Sequence, residues 1–249
     1  MAILFVAAES SELKPFSSAL TGLRRLNWPI DYAYEGILEG RRMLLAANGA
    51  GPRLAQRAVE IAMRALTAAE LSASKLEAVA SIGYCGALDP SLKRNQIIIG
   101  ERVISGSGES HDCAPVECSL PFVQGVVFSQ DRVANSASEK AELRLSNASI
   151  VEMEAAGVAS RIVRAAVPFA CIKVVTDLAE ESFGLDLNKL RTTEGRFARG
   201  KIGSYALTHP GLVPELLRLK RRSESAAQSL GEFLVSCRIH VESASSIAE

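Results

Sequence analysis

The run Phe169-Ala170-Cys171-Ile172-Lys173-Val174-Val175 constrains the fold of this chain more than any other stretch. It is almost unbroken in apolar residues and rich in Val and Ile, which describes a strand covered on both faces. Just upstream, Ala155, Ala156, Ala159, Ile162, Val163 and Ala166 recur at spacings of three and four, the pattern of an amphipathic helix, and Pro168 stops it. Residues 2–8 and 77–82 repeat the buried-strand pattern. A strand buried on both faces needs helices on both sides of its sheet, so the chain reads as α/β. With 249 residues and 48% hydrophobic content it can bury a full core, and a single domain over 1–249 is predicted.

Charge and cysteines narrow the function. Lys plus Arg equals Asp plus Glu at 28 each, so no global field draws the protein to nucleic acid or to an anionic membrane. No apolar run approaches the roughly 20 residues that span a bilayer, and stable membrane insertion is not expected. Cys85, Cys113, Cys118, Cys171 and Cys237 are odd in number and scattered, and the first residues lack a basic, cleavable leader. A reducing, cytoplasmic location is expected. His111, His209 and His240 fall in no metal-ligand spacing and there is no Cys-x-x-Cys pair, so neither metal nor cofactor is predicted.

Residues 2–8 run into a helix that Ser10 is placed to cap. Residues 32–38 and 42–47 form a hairpin over Glu39-Gly40. Asn48-Gly49-Ala50-Gly51-Pro52 then opens a helix with Leu54, Ala58, Ile61, Ala62, Ala65 and Leu66 on one face. Its Gly-x-Gly is a tight turn or an anion cradle. Residues 96–104 read as a strand pair kinked at Gly100, 125–128 as a strand, and 105–124 as poor in pattern. Helices are predicted over 187–207 and 211–235, the second with Leu212, Leu216, Leu219, Leu230 and Phe233 on its apolar side, and 240–249 as a frayed tail. Lys220-Arg221-Arg222 is a solvated face or a basic patch beside a leucine stripe.

Chemistry is sought where strands end, because open α/β sheets bind ligands at the carboxyl ends of their strands. The 169–175 strand ends on Thr176-Asp177, and the first strand runs into Glu9 and Glu12. Met153 and Glu154 fall in the first turn of the alanine-rich helix, where free amides favour a carboxylate with or without a ligand. Lys173, inside a buried strand, must be paired or turned toward a pocket. Phe183, in the loop Glu180-Glu181-Ser182-Phe183-Gly184, is a packing residue or a cover for a ligand.

The word Val151-Glu152-Met153-Glu154-Ala155-Ala156-Gly157, followed by a strand ending in Thr176-Asp177, resembles the signature of the nucleoside phosphorylase and nucleosidase family, which includes the methylthioadenosine/S-adenosylhomocysteine nucleosidases. Gly83-Tyr84-Cys85-Gly86-Ala87 resembles its second signature, and Asn48–Pro52 its Gly-x-Gly loop. The resemblance implies a three-layer α/β sandwich, a twisted mixed sheet flanked by helices. It also implies roles. Met153 lies under a ribose, Glu154 accepts from both sugar hydroxyls, Asp177 protonates the departing base, and Glu12, with Glu9 as rival, activates the attacking water. Gly86 presents its amide to the substrate beside Tyr84, Cys85 and Thr176, while Val133 or Ala134 packs on the base.

The departures matter as much. In the phosphorylases a Ser of the second signature holds phosphate and an Arg three residues earlier assists, but here those places are Tyr84 and Ser81. The family's Gly-Asp-Pro-x-Arg phosphate word is missing, and Glu12 stands roughly there. A phosphate dianion needs several N–H or cationic donors, so water is favoured as nucleophile, with Lys173 left as the one candidate anion contact. The segment 105–124 is shorter than in the nucleosidases. His209-Pro210-Gly211-Leu212-Val213-Pro214, the Asn48–Arg53 word and Asp131-Arg132-Val133 look most like the hopanoid-associated branch, whose members act on adenosylhopane.

The resemblance thus implies an N-ribosyl hydrolase acting on an adenine-type nucleoside of methylthioadenosine-, futalosine- or adenosylhopane-like form, in a homo-oligomer of two chains or more. A phosphorylase, or a nucleoside-binding protein that has lost catalysis, is the alternative. In the hydrolase reading Asp177 acts protonated, which calls for burial or a neighbouring carboxylate, and Glu12 acts ionised.

Overall fold

The computed structural model of the chain describes residues 1–68, 76–192, 194, 196 and 210–240. In chain order the elements are β1 (Ala2–Ala7), α1 (Ser10–Ser17), β2 (Thr21–Arg25), β3 (Tyr32–Leu38), β4 (Arg41–Ala47), α2 (Pro52–Ala68), β5 (Leu76–Ala87) and β6 (Ile97–Ser105). Then come β7 (Ser110–Asp112), β8 (Val116–Cys118), β9 (Val123–Ser129), α3 (Ala137–Arg144), β10 (Ile150–Glu152), α4 (Ala155–Ile162), β11 (Phe169–Asp177), α5 (Val213–Ser236) and β12 (Cys237–Ile239).

The apolar runs seen in the sequence lie side by side. Across the main sheet the order is β10-β9-β6-β11-β5-β1-β4-β3-β2, with β7 on β6; β8 and β12 pair separately. β4, β1, β5 and β11 run parallel, whereas β6 is antiparallel to β11, so the sheet is mixed. Its two faces alternate along each strand as the period of two requires. Leu4, Val6 and Val79 pack toward α2 and α4, through Ala58, Val59, Val158 and Ile162. Ile3, Phe5 and Ile82 pack toward α1 and α5, through Leu13, Phe16, Leu230 and Phe233. Three layers result, and each fully buried Leu, Ile or Phe contributes about 1.5–3 kcal/mol.

β5 is longer than its predicted core at 77–82. Its last residues continue beside β11 and also pair antiparallel with β10, Gly86 opposite Val151 and Ala87 opposite Ile150. Strands β5, β11, β6, β9 and β10 therefore close into a ring of pairings. Residues 83–87, the second signature word, are thereby part of the strand.

Several expectations change. Residues 96–104 form one strand and not a pair, with an irregularity between Gly100 and Arg102 in its pairing with β9. The N-cap of α1 is Glu9 and not Ser10, because the Glu12 carboxylate accepts the Glu9 N–H at 2.7 Å. Helix α4 begins at Ala155, so Met153 and Glu154 precede its first turn. Its leading amides are already held: Glu152 accepts the N–H groups of Glu154 and Ala155, and Ser129 Oγ that of Ala156 at 3.1 Å. The helix also ends before Pro168, in a 3-10 turn Val163–Ala165. Of the helix expected over 187–207, the 3-10 turn Leu187–Leu190 is present and most of the remainder lies outside the described residues, as does 241–249 of the expected tail. β2, β7, β8, β12 and α3 carry too little apolar periodicity to be foreseen; β2 is exposed throughout and held by backbone pairing to β3.

The crossing of α2 and α4 fixes the signature word in space. A Cβ on Gly157 would stand 2.1 Å from the Pro52 carbonyl oxygen, a backbone atom that no side-chain adjustment moves. Gly157→Ala is expected to force these helices apart at a cost of about 2 kcal/mol or more. For a chain this long that lowers Tm by roughly 4–8 °C, read in a thermal melt; an unchanged Tm would show the crossing to be loose.

Candidate active site

A cavity of about 570 Å³ opens at the carboxyl ends of β1, β5 and β11, where the end of β10 meets them. Into it converge Glu12 from α1, Glu154 from the segment between β10 and α4, and Asp177 from the last position of β11. Tyr84, Cys85 and Gly86 of β5 line it too, as do Val133, Met153 and Thr176. Nine of the ten residues proposed from the sequence meet here.

Lys173 does not. Its side chain is fully buried beneath the cavity, with Nζ 2.7 Å from Glu152 Oε2, 3.8 Å from Glu154 Oε2 and 3.2 Å from the Ile82 carbonyl oxygen. Burial alone would lower its pKa, but Glu152 and Glu154 outweigh it and hold the ammonium well above the ordinary lysine range. The expected anion contact is therefore corrected to an internal ion pair: its donors are already taken by groups within the protein.

The two glutamates of the signature word divide the work. Glu152 faces Lys173 and the first amides of α4. Glu154 turns one oxygen to the Gly51 N–H at 3.0 Å, so the Gly-x-Gly loop does approach the pocket, where it orients this carboxylate. Burial pushes the Glu154 carboxyl up, Lys173 offsets part of that, and Glu152 and Glu12 add to it.

Glu12 is 2% exposed and both its oxygens are anchored, Oε1 by the Tyr84 N–H at 2.9 Å and Oε2 by the Glu9 N–H. Gly83 makes this approach possible: with φ +130°, a Cβ there would sit 2.4 Å from Glu12 Oε1. Burial pushes the Glu12 carboxyl up to about 7, against the pull of the two amides and of Lys173. A carboxylate that titrates near neutrality is suited to taking a proton from water.

Asp177 is buried, one of the two settings expected for it, but without the neighbouring carboxylate. Its charged neighbour is no carboxylate but Lys140, whose Nζ lies 2.5 Å from Oδ2, while the Thr176 hydroxyl lies 2.8 Å from Oδ1. The sequence offered no signal for Lys140, one lysine in a polar helix. The wall formed by α5 was also missed: Leu216 and Leu219 of its stripe, with Leu217 beside them, face the cavity with Phe183, next to Lys220 and Arg222. Val133 shows the cavity its side chain, because Asn188 holds both its N–H and its carbonyl, at 2.9 and 3.0 Å.

The model of one protein family, described as the phosphorylase superfamily, matches residues 3–121 and 109–200. The chain belongs to the phosphorylase superfamily. Among curated members, a 5'-methylthioadenosine/S-adenosylhomocysteine nucleosidase of Staphylococcus aureus is 24% identical over 221 residues, covering 74% of this chain and 91% of its own. Among solved structures, the corresponding nucleosidase of Neisseria meningitidis, in complex with methylthio-immucillin-A, superposes with a TM-score of 0.69 at 18% identity, covering 94% of this chain and 96% of that one. A futalosine hydrolase mutant of Helicobacter pylori gives a TM-score of 0.66 at 16% identity, with the same coverage of 94% and 96%. The three-layer mixed α/β fold is thus that of known superfamily members.

Two measurements test the electrostatics of this superfamily site. If Glu12 is the base it acts ionised, so kcat/KM should rise with pH up to about 7 and fall about tenfold per unit below it. Glu12→Gln should abolish the activity, and a flat wild-type profile between about 5 and 8 would count against Glu12. Lys173→Met strands a buried Glu152 and is expected to cost about 3–5 kcal/mol in denaturant unfolding; a near-neutral result would contradict the internal pair.

Proposed function

We propose that this protein is an N-ribosyl hydrolase that cleaves the glycosidic bond of an adenine-type nucleoside, releasing free base and a ribosyl product. One observation carries the reading: three carboxyl groups from distant parts of the chain, Glu12, Glu154 and Asp177, border a single cavity. Breaking the bond builds positive charge on the sugar and electron density on the base, and carboxyl groups flanking the bond meet both demands. Glu154 binds the ribose hydroxyls and favours the oxocarbenium charge, Met153 lies against the sugar, Asp177 gives a proton to the base, and Glu12 takes one from the attacking water. Gly86, Thr176, Cys85 and Tyr84 border the bond being broken, with Val133 against the base.

Water is the nucleophile in this reading because, among the described residues, no cation lies free beside the three carboxyl groups: those at the rim stand near carboxylates of their own. Arg132 pairs with Glu139, and Arg222 lies 3.4 Å from Glu181. Lys220 lies 3.8 Å from Glu224, and Lys173 points inward. A dianion would also face Glu12, which is ionised above about 7. The relatives named as nucleosidase and hydrolase support the same choice. Leu216 and Leu217 in the wall suit an apolar 5'-substituent, of the methylthioadenosine or adenosylhopane kind, better than a charged one.

The protein is read as a single catalytic domain acting in the cytoplasm, where its five free thiols suit a reducing milieu. The family resemblance extends the proposal to a homo-oligomer, a dimer or larger, which light scattering would read. Incubation with adenosine, methylthioadenosine and related nucleosides, with and without phosphate, should release adenine independently of phosphate, fastest from the apolar 5'-derivatives. Asp177→Asn should lower turnover at least about 10²-fold with the fold intact, and lower the melt as well, because Lys140 loses its charged partner. Strict dependence on phosphate would identify a phosphorylase, and nucleoside binding without turnover a binding protein.

A further inference from the structure

We infer that Lys140 is the positioning residue for base departure, setting Asp177 and the loop behind the base as one unit; this rests on the hydrolase reading above. Lys140 lies on α3, whose start is fixed by the reciprocal bonds of Ser136 and Glu139, and it is 1% exposed. Its ammonium has three protons and three acceptors: Asp177 Oδ2 at 2.5 Å, the Leu178 carbonyl at 2.7 Å and the Glu181 carbonyl at 3.2 Å. It also lies 5.6 Å from the ring centroid of Phe183, which lines the cavity. One side chain thus joins the acid at the end of β11 to the loop that walls the pocket. Nothing in the reaction as described so far uses it.

The step it serves is balanced as follows. The C1'–N bond breaks and its electron pair stays on the base; the O–H bond of Asp177 breaks and its proton passes to a ring nitrogen of the base. Asp177 is left as a carboxylate, and the sugar is captured by water, whose proton goes to Glu12. The ammonium beside Oδ2 opposes the negative charge on Asp177 as it forms, and keeps its own protons. With Asp177 holding its proton in the substrate complex, as the hydrolase reading requires, the full ammonium–carboxylate attraction arises only as that proton leaves, so it acts on kcat and not on KM.

The test compares wild type, Lys140→Gln and Lys140→Arg on a panel of purine ribosides whose bases differ in basicity. Lys140→Gln is expected to lower kcat for the adenine nucleoside about 10²-fold with little change in KM, and to make kcat depend more steeply on how readily the base leaves unprotonated. Lys140→Arg should restore much of the loss. A uniform loss across the panel would mark a structural role and overturn the inference, as would a KM effect alone. If Lys140→Gln melts far below wild type, the comparison rests on Lys140→Arg, which keeps the charge and the donors, together with a wild-type crystal structure holding adenine, where Lys140 turned away from Asp177 would also overturn it. A wild type that releases no base, or an Asp177→Asn variant that keeps full turnover, would sink the hydrolase reading itself. An active wild type matched by Lys140→Gln would sink this inference alone.

Discussion

The rest of this structure depends on an ammonium buried where no water can reach it. Lys173 sits in the middle of β11 and is compensated by the Glu152 carboxylate at 2.7 Å, in a place where removing either partner would leave an uncompensated charge. The pair does more than neutralise. Glu152 also takes the first amides of α4, so the ion pair decides where that helix begins, and Glu154 is left one position before it with its side chain free to turn toward the Gly51 amide. The close contact between Gly157 and Pro52 then locks α4 onto α2. Strand, helix start and loop are thus tied to one buried charge.

One lysine has to serve several carboxylates, and that inequality gives the site its chemistry. Glu152 has the shortest contact with Lys173, Glu154 a longer one, and Glu12 only its field and two backbone amides. Burial pushes Glu12 and Glu154 up, while the share of Lys173 each receives pulls them back by different amounts. Three glutamates of identical intrinsic acidity therefore sit in three different settings, which the proposed reaction would use as a partner for Lys173, a sugar ligand and a base. Asp177 belongs to a second electrostatic group, with Lys140, across the cavity.

Closure of the strand ring gives these groups a common space. The extension of β5 past Ile82 carries Tyr84 over Glu12 and Gly86 beside Val151 and Asp177. The Tyr84 hydroxyl reaches the Ser223 carbonyl at 3.0 Å, and Asn95 reaches Ser225 at 2.8 Å, which draws the leucine stripe of α5 across the opening. The apolar wall is consequently supplied by a helix far along the chain from the carboxylates it faces.

What local periodicity could declare, the sequence determined by itself: the buried strands read at 2–8, 77–82 and 169–175, the helix opened by Pro52 and the one read at 211–235, the hairpin over Glu39-Gly40, and the polar words at strand ends that drew attention to Glu12, Glu154 and Asp177. These features follow from neighbours a few residues apart, which any reading of the chain contains. Tertiary structure alone decided the partners. The Tyr84 amide meets Glu12 across 72 residues, the Gly51 amide meets Glu154 across 103, and Lys140 meets Asp177 across 37. It also chose between the two readings of Lys173, paired and turned inward because Glu152 is near. Whether a buried charge serves a ligand or the core depends on which side chain lies within a few ångströms of it, and no spacing along one chain encodes that distance.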